Sequence, residues 1–124
     1  MKDEITSLVI LAALGALFAF NSYTVNTTTH SLTDEIRRAE QEAISDFDAT
    51  REFESVQKKW QKERKALFYL CGHSIITQID EYIGLGCEYM ALGNRDRAVF
   101  FFKKARLGLE DLSDREKIKL DNIF

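Results

Sequence analysis

Residues 75–112 read IITQIDEYIGLGCEYMALGNRDRAVFFFKKARLGLEDL, and their pattern indicates the fold class. On either side of Gly93-Asn94 the apolar residues recur every three or four positions, which is the period of an amphipathic α-helix. Glycine commonly ends a helix, so the segment predicts two antiparallel helices joined at Gly93. We expect the buried face of the first to carry Ile75, Ile79, Tyr82, Ile83, Gly86, Tyr89 and Met90, and that of the second to carry Ala98, Phe101, Phe102, Ala105, Leu109 and Leu112.

The same period continues upstream and predicts two more helices. One has Leu32, Ile36, Ala39 and Ala43 on one face; the other has Ala49, Phe53, Val56, Trp60, Leu67 and Cys71. Asp46 marks the turn between them, and Gly72 is placed to end the second. Ser113-Asp114-Arg115-Glu116 is a capping-box pattern that predicts a short final turn. The predicted fold is all-α, a small bundle of two antiparallel helical hairpins.

Residues 5–20, ITSLVILAALGALFAF, contain no charged side chain. A transmembrane helix needs about 20 residues, and the run reaches that length if it continues to Tyr23 or Val25. The alternative is a cleaved signal peptide, because the apolar run is short for a span. A cleavage site would follow a small-x-small pattern, but the run ends in Phe18-Ala19-Phe20-Asn21. The sequence therefore favours an uncleaved transmembrane anchor.

The predicted organisation is an anchor over residues 1–25, a linker over 26–31 and a helical domain over 32–124. Asn26-Thr27-Thr28-Thr29 is a poor helix-forming sequence, which favours the linker. Lys2 and the terminal amine are the positive charges nearest the apolar run, and Arg37 is the next along the chain. The positive-inside rule then favours a cell-membrane protein with a cytoplasmic N-terminus and an extracytoplasmic helical domain.

Composition excludes several classes of protein. The chain has 124 residues, 2 Cys, no Pro and a formal net charge of −3, enough for one domain and too few cysteines for a disulfide scaffold. Residues 2–54 carry 4 basic and 10 acidic side chains, and residues 55–124 carry 13 basic and 10 acidic ones. These net charges of −6 and +3 let the two halves attract each other. Neither half is basic enough to predict a nucleic-acid partner.

The span 79–112 resembles one tetratricopeptide repeat, a helix-turn-helix unit of about 34 residues. Its signature positions are filled by Tyr82, Leu85, Gly86, Tyr89, Ala98, Phe102 and Ala105. Small residues at three of these positions would let the helices approach closely, with aromatic rings filling the remaining space. The segment departs from the repeat at Tyr82, where Trp is usual, and at Glu110, where Pro is usual. The preceding hairpin lacks the signature, so the resemblance covers one unit.

Almost the whole chain is similar to an uncharacterised family of small membrane-anchored bacterial proteins, domain of unknown function 4363. The resemblance rests on the N-terminal apolar segment and the order and spacing of Trp60, His73, Glu81-Tyr82-Ile83 and Asp121-Asn122-Ile123-Phe124. The chain departs from the family pattern at Phe47, where Trp is usual, and at Ser74, where an acidic residue is usual. The resemblance implies an anchored helical protein of spore-forming Gram-positive bacteria. It implies no activity and no catalytic residues.

No arrangement of reactive side chains predicts an enzyme. Cys71 and His73 form Cys-x-His, but a zinc site needs two more ligands and only Cys87 and scattered carboxylates are on offer. A histidine that hydrogen-bonds a helix end is the simpler interpretation. In a hairpin turning at Gly72, Cys71 and Cys87 would lie about 20 Å apart, beyond disulfide reach, so both are expected to be small buried thiols. We therefore expect no catalytic residue, cofactor or metal.

Two groups of residues are candidates for an interaction surface. Phe100 and Leu107 lie one heptad apart, opposite the buried stripe of their helix. Either the C-terminal Ile123-Phe124 folds over them, or they form an apolar patch for a partner. The second group is the set of cations on the helix that contains Trp60, namely Lys58, Lys62 and Lys65. These either form a solvated face or contact anionic lipid or wall polymer.

These observations favour a single-pass, N-terminally anchored protein of the bacterial cell envelope. Its helical domain would mediate protein–protein interaction, as an accessory subunit of another membrane protein or by self-association. The alternative is an extracytoplasmic sensor or binding domain for a small ligand or envelope polymer. Polar groups at an apolar cavity between the second and third bundle helices would favour the alternative. A filled core with an exposed Phe100 would favour the interaction protein.

Overall fold

The computed structural model describes residues 2–46, 48–71 and 73–123, except for the side chains of His73, Lys119, Leu120 and Ile123. Its helices are α1 (Lys2–Ser45), α2 (Thr50–Cys71), α3 (His73–Ala91) and α4 (Arg95–Ile123). No strand occurs in these residues. The predicted all-α fold, with a long apolar N-terminal helix, is confirmed. The predicted helix end at Gly72 and the family departure at Phe47 lie outside the described residues.

The four helices form a ring. Each helix packs against the next one in the chain, and α4 closes the ring by packing against α1. The α1–α4 contacts show that these two helices are antiparallel. Ser22 contacts Glu116 at 3.2 Å, and Glu40 contacts Arg106 at 3.0 Å, so residue numbers fall along α4 as they rise along α1. The bundle therefore runs up, down, up and down.

The core consists of the apolar faces that the sequence indicates. The residues that are at most 3% exposed include Leu32, Ile36, Ala39, Ala43, Ala49, Phe53, Val56, Trp60, Leu67, Ile79, Ile83, Met90, Ala98, Phe102, Ala105, Leu109 and Leu112. At the start of α3 the buried isoleucine is Ile76, and the predicted Ile75 is only half-buried. Phe101, predicted to be buried, is also half-buried because its ring stacks beside Tyr89 at the surface.

The predicted linker over residues 26–31 is not a break in the chain, because α1 is helical from Lys2 to Ser45. Two threonines there satisfy their hydroxyls within the helix: Thr27 and Thr29 donate to the carbonyl oxygens of Tyr23 and Asn26 at 2.8 and 3.0 Å. Thr29 is 1% exposed and packs inside the bundle. Burial against the other helices thus outweighs the weak helix propensity of this stretch.

The short final turn predicted after Ser113 is also absent, because α4 continues to Ile123. The Ser113 hydroxyl contacts the Asn26 side-chain oxygen of α1 at 2.6 Å instead of capping a new helix. Ile123 is 16 residues beyond Leu107 on one helix, which separates their backbones by about 24 Å. The backbone of Ile123 therefore does not fold over Leu107. Phe124 lies outside the described residues.

Two local sequence signals set the turn between α3 and α4 and the turn between α1 and α2. Gly93 has a φ of 79°, in the left-handed region that favours glycine. Asn94 then accepts the backbone N–H of Arg97 at 3.3 Å and caps α4. Before α2, Asp48 accepts the backbone N–H of Thr50 at 3.2 Å. Hydrogen bonding from the Thr50 side chain, and then from its backbone N–H, lowers the pKa of Asp48. Asp46 lies in the turn between α1 and α2, as predicted, and the residue that caps α2 is Asp48.

Candidate functional site

The first part of α1 extends beyond the bundle. Nine large apolar side chains there are each at least 55% exposed: Ile5, Leu8, Val9, Ile10, Leu11, Leu14, Leu17, Phe20 and Tyr23. Burial in the bundle begins at Ser22, which is 2% exposed. The uncharged residues from Ile5 to Asn21 measure about 25 Å as a helix, slightly less than the hydrocarbon core of a bilayer, which is about 30 Å thick. α1 is the one described helix that is long and apolar enough to cross a membrane.

The turn between α2 and α3 lies at the end of the bundle from which this apolar segment emerges. Lys59 of α2 contacts Ser31 and Glu35 of α1, the latter at 3.5 Å. Tyr69 lies ten residues beyond Lys59, and Asn21 lies ten residues before Ser31, so both are about 15 Å from that contact in the same direction. Tyr69 is therefore level with the last turn of the apolar segment.

A groove of about 510 Å³ opens between α2 and α3 next to this turn. It is lined by Arg64, Lys65, Phe68, Tyr69, Ile76, Thr77 and Asp80. One carboxylate oxygen of Asp80 accepts the indole N–H of Trp60 at 2.9 Å and the guanidinium of Arg64 at 2.8 Å. The polar wall is thus held in place from the core side, while Phe68 and Ile76 supply apolar surface. This groove has the polar and apolar character that the binding-domain alternative requires.

The three predicted cations lie close to Trp60 in sequence but differ from it in exposure. Trp60 is 0% exposed and points into the core. Lys58, Lys62 and Lys65 are exposed, and none of them forms an ion pair within the described part of the chain. Of the three, only Lys65 lines the groove.

A row of aromatic side chains, hereafter the aromatic surface, follows the seam between α3 and α4. It consists of Tyr82, Tyr89, Phe100 and Phe101. The Phe101 ring stacks on Tyr89 with centroids 5.5 Å apart and contacts the Phe100 ring edge-on at 5.4 Å. Tyr82 lies 6.3 Å from Phe101 on the other side. Tyr82 and Tyr89 are only half-buried, so the row lies at the edge of the core, packed against it on one side and open to solvent on the other.

Two cations lie over the rings of the aromatic surface. The Arg97 guanidinium is 5.5 Å from the Tyr89 ring, and the Lys104 ammonium is 5.1 Å from the Phe100 ring. Sequence reasoning assigned both tyrosines to the core and so missed this surface. The available signal was the seven-residue spacing from Tyr82 to Tyr89, which matches the spacing from Phe100 to Leu107 on the facing helix.

Phe100 and Leu107 project outward from α4 and are 52% and 50% exposed. The cations Lys58, Lys62 and Lys65 are on α2, which is diagonally across the ring from α4. The two groups of candidate residues therefore form two separate surfaces. Phe100 belongs to the aromatic surface, and Leu107 lies one heptad beyond it on α4.

A partly buried ion pair ties α1 to α4 on a third side. Glu40 is 8% exposed, and its carboxylate accepts the Arg106 guanidinium at 3.0 Å. Burial raises the pKa of Glu40 from 4.5, and the nearby charge of Arg106 offsets part of that rise. Arg106 also contacts Glu110 at 3.5 Å, which pairs with Arg37 at 3.0 Å. The contact with α4 explains how a glutamate is accommodated within the α1 interface.

The chain has two cysteines, Cys71 and Cys87. Both are thiols, and both are half-buried. The Cys87 thiol donates to the carbonyl oxygen of Phe53 at 3.3 Å, and burial together with the charge of Glu54 raises its pKa to about 11. The side chain of His73 lies outside the described residues. Within the described ranges, no group of three or more His, Cys, Asp or Glu side chains is arranged to hold a metal ion.

Comparison with known proteins places the chain in a family. No curated protein and no solved structure matches it significantly. A family model described as a domain of unknown function matches residues 18–123, from the last turns of the apolar segment to the end of α4. The matched region includes all four helices of the bundle. The chain therefore belongs to the DUF4363 family.

Proposed function

We propose that the chain is a single-pass membrane protein of the bacterial cell envelope whose helical bundle binds a protein partner through the outer face of α4. The observation that carries this proposal is the aromatic surface, which includes Phe100, together with the exposed Leu107 on the same helix. Aromatic and arginine side chains dominate the energetics of protein–protein interfaces. Four rings in mutual contact, with Arg97 over one of them, make a preorganised patch of that composition.

The position of this face suits a partner anchored in the same membrane. Glu116 is level with Ser22, where the bundle begins. Leu107 and Phe100 lie 9 and 16 residues before Glu116 on α4, which puts them about 14 and 24 Å above that level. The partner surface would then be the juxtamembrane part of another membrane protein, with the chain serving as its accessory subunit. A second copy of the chain is the self-associating version of the same proposal.

Localisation in the cell membrane, with the bundle outside, is part of the proposal. Support for an uncleaved anchor comes from α1 itself, because Ser22 and Val25, 2% and 1% exposed, begin the bundle immediately after Phe20. Cleavage near Phe20 would cut α1 at its entry into the bundle. Support for the orientation comes from Lys2, which is the only basic side chain before the apolar segment. Basic side chains beside a transmembrane helix favour the cytoplasmic side. The proposed role is non-enzymatic.

The partner interaction predicts a clear effect of charge on α4. We expect Phe100→Glu/Leu107→Glu to abolish co-purification of a near-stoichiometric membrane partner from mild-detergent extracts, because two carboxylates would be buried in an apolar contact. The matched control is Ile44→Glu, which introduces a charge at an equally apolar position, 68% exposed, on α1. Helical content and thermal unfolding, followed by circular dichroism, should be unchanged in both variants since these side chains project to solvent.

The control also decides the outcome of this experiment. Loss of the partner in the α4 variant and its retention in the Ile44 variant support the proposal. Capture of the chain alone by the wild type, with a monomeric mass in detergent, would contradict both the accessory-subunit and self-association versions.

The second candidate function is that of an extracytoplasmic binding or sensor domain for a small ligand or envelope polymer. The groove between α2 and α3 favours it, since Arg64, Thr77 and Asp80 lie beside the apolar Phe68 and Ile76. Direct binding to the purified full chain tests it, with the groove variants described in the next section as controls.

A further inference from the structure

We propose that the groove between α2 and α3 binds an anionic phospholipid of the membrane in which α1 is anchored. The inference rests on the membrane anchoring in the proposed function and adds to it a ligand and a site. It depends on three features of the groove: its height relative to the apolar segment, its apolar surface and its charge.

The groove lies at the height of the lipid headgroups. Lys65 is six residues beyond Lys59 on α2, about 9 Å closer to the membrane than the Lys59–Ser31 contact. Because Lys59 contacts both Ser31 and Glu35, Lys65 is then level with residues 25–29, about 6–12 Å above the end of the apolar segment at Asn21. The headgroup region of one leaflet spans about 5–7 Å beyond the hydrocarbon core. A ligand entering the lower end of the groove would therefore come directly from the bilayer.

The apolar lining suits the upper part of an acyl chain. Tyr69 is 87% exposed at the membrane-facing rim, where an amphipathic ring is favoured. Phe68 is half-buried behind it, and Ile76, 3% exposed, forms the floor. On the neighbouring α4, Ile118 is 59% exposed at nearly the same height, two residues past Glu116. Apolar side chains exposed to water at this level would be covered by lipid.

The charge of the groove favours an anionic headgroup. Arg64 and Asp80 neutralise each other at 2.8 Å, and that pair is fixed by the bond from Trp60 to Asp80. Lys65 has no ion-pair partner in the described part of the chain and so leaves the groove with a positive charge at its headgroup end. Thr77 lies on the α3 side of the same groove. A phosphate near Lys65 would meet a cation, and the acyl chain would lie along Phe68 and Ile76.

The test measures lipid retained by the full chain in detergent, using native mass spectrometry with equimolar phosphatidylglycerol and phosphatidylcholine of matched acyl chains. The wild type should retain phosphatidylglycerol in preference to phosphatidylcholine. Lys65→Gln should lower the retained phosphatidylglycerol about fivefold, since one lysine near an anionic surface contributes about 1 kcal/mol. The matched control is Lys58→Gln, which removes an exposed, unpaired cation from the same helix about 10 Å farther from the membrane.

A second variant tests the apolar part of the site without changing charge. Tyr69→Ala should lower retention of both lipids and leave unfolding unchanged, because this ring is exposed. Equal retention of the two lipids by the wild type, or equal losses in Lys65→Gln and Lys58→Gln, would overturn the site. Failure of the anchoring itself looks different: sodium carbonate would then release the chain from membranes. A retained chain with no preference for phosphatidylglycerol refutes the lipid site alone.

Discussion

Gly86→Ala is expected to lower the free energy of unfolding by about 2–3 kcal/mol, because overpacking of a filled core costs that much. A Cβ at this position would lie 2.3 and 2.6 Å from two carbons of the Phe102 ring and 3.3 Å from the carbonyl oxygen of Ala98. The ring has no free direction of retreat, since its other face stacks on Phe53 with centroids 3.8 Å apart. Denaturant unfolding of the full chain in detergent, followed by circular dichroism, measures the change.

Gly84→Ala is the matched control for this substitution. It lies one half-turn away on α3, and nothing is within 4 Å of the position of its Cβ. Alanine should stabilise it by about 0.5–1 kcal/mol through helix propensity alone. A double variant, Gly86→Ala/Phe102→Leu, should be less destabilised than the two single changes summed, because the smaller side chain removes the clash. Equal effects of alanine at positions 84 and 86 would contradict the close α3–α4 packing.

Arg106→Met is expected to cost about 3 kcal/mol at pH 7. The substitution keeps the apolar stem of the side chain but leaves the carboxylate of Glu40, 8% exposed, without its partner. The control is Arg37→Met, which removes an arginine that is 53% exposed and paired with Glu110. An exposed pair of this kind contributes at most about 1 kcal/mol. The same unfolding measurement should therefore separate the two arginine variants.

The cost of Arg106→Met should shrink as the pH is lowered. The folded-state pKa of Glu40 is raised from 4.5 by burial, and loss of Arg106 raises it further. Protonation of Glu40 then stabilises the folded state, an effect fully present below its unfolded pKa and lost as the pH rises through its folded pKa. Arg106→Met/Glu40→Gln should recover most of the loss of unfolding free energy at pH 7. Because position 40 no longer titrates in this double variant, the pH-dependent contribution of Glu40 to its stability should be absent. A deficit independent of pH would show that the charge on Glu40 is not its cause.

The sequence predicts the bundle well because its helices depend on local patterns. The stripe from Phe53 to Leu67 and the stripe from Ala98 to Leu112 are each visible within one helix, and their burial follows from period and size alone. The turn at Gly93 is equally local, since it requires a left-handed backbone. These features need no knowledge of what lies across the bundle.

What the sequence did not predict depends on contacts between distant residues. α1 continues through Thr29, whose side chain is buried by the other helices of the bundle. α4 continues through Ser113, whose hydroxyl contacts Asn26 of α1, 87 positions earlier in the chain. The partial burial of Tyr82 and Tyr89 reflects their contacts with Phe101 of the neighbouring helix. Local propensity does not contain this information. It therefore cannot predict that α1 and α4 are continuous helices or that the aromatic surface forms.

The groove between α2 and α3 also arises from tertiary structure. Asp80 is unremarkable in sequence, yet it joins Trp60 and Arg64 in one wall. The height of Tyr69 relative to the apolar segment follows from the contact of Lys59 with Ser31, 28 residues apart. The sequence identified Lys65 as a candidate together with Lys58 and Lys62, and the structure separates it from them by placing it in the groove.

The central claim is that α1 anchors an extracytoplasmic bundle in the cell membrane. Its most direct test is to introduce Ser55→Cys, an exposed site on α2, into a Cys71→Ser/Cys87→Ser background and label intact bacterial cells with a membrane-impermeant maleimide. The washed membranes are then treated with sodium carbonate, and the mass of the labelled chain is determined. We predict a labelled chain of full length, near 14.3 kDa before labelling, that stays in the membrane pellet. A labelled chain that is shorter by the apolar segment and released by carbonate, or a full-length chain that remains unlabelled, would contradict the claim.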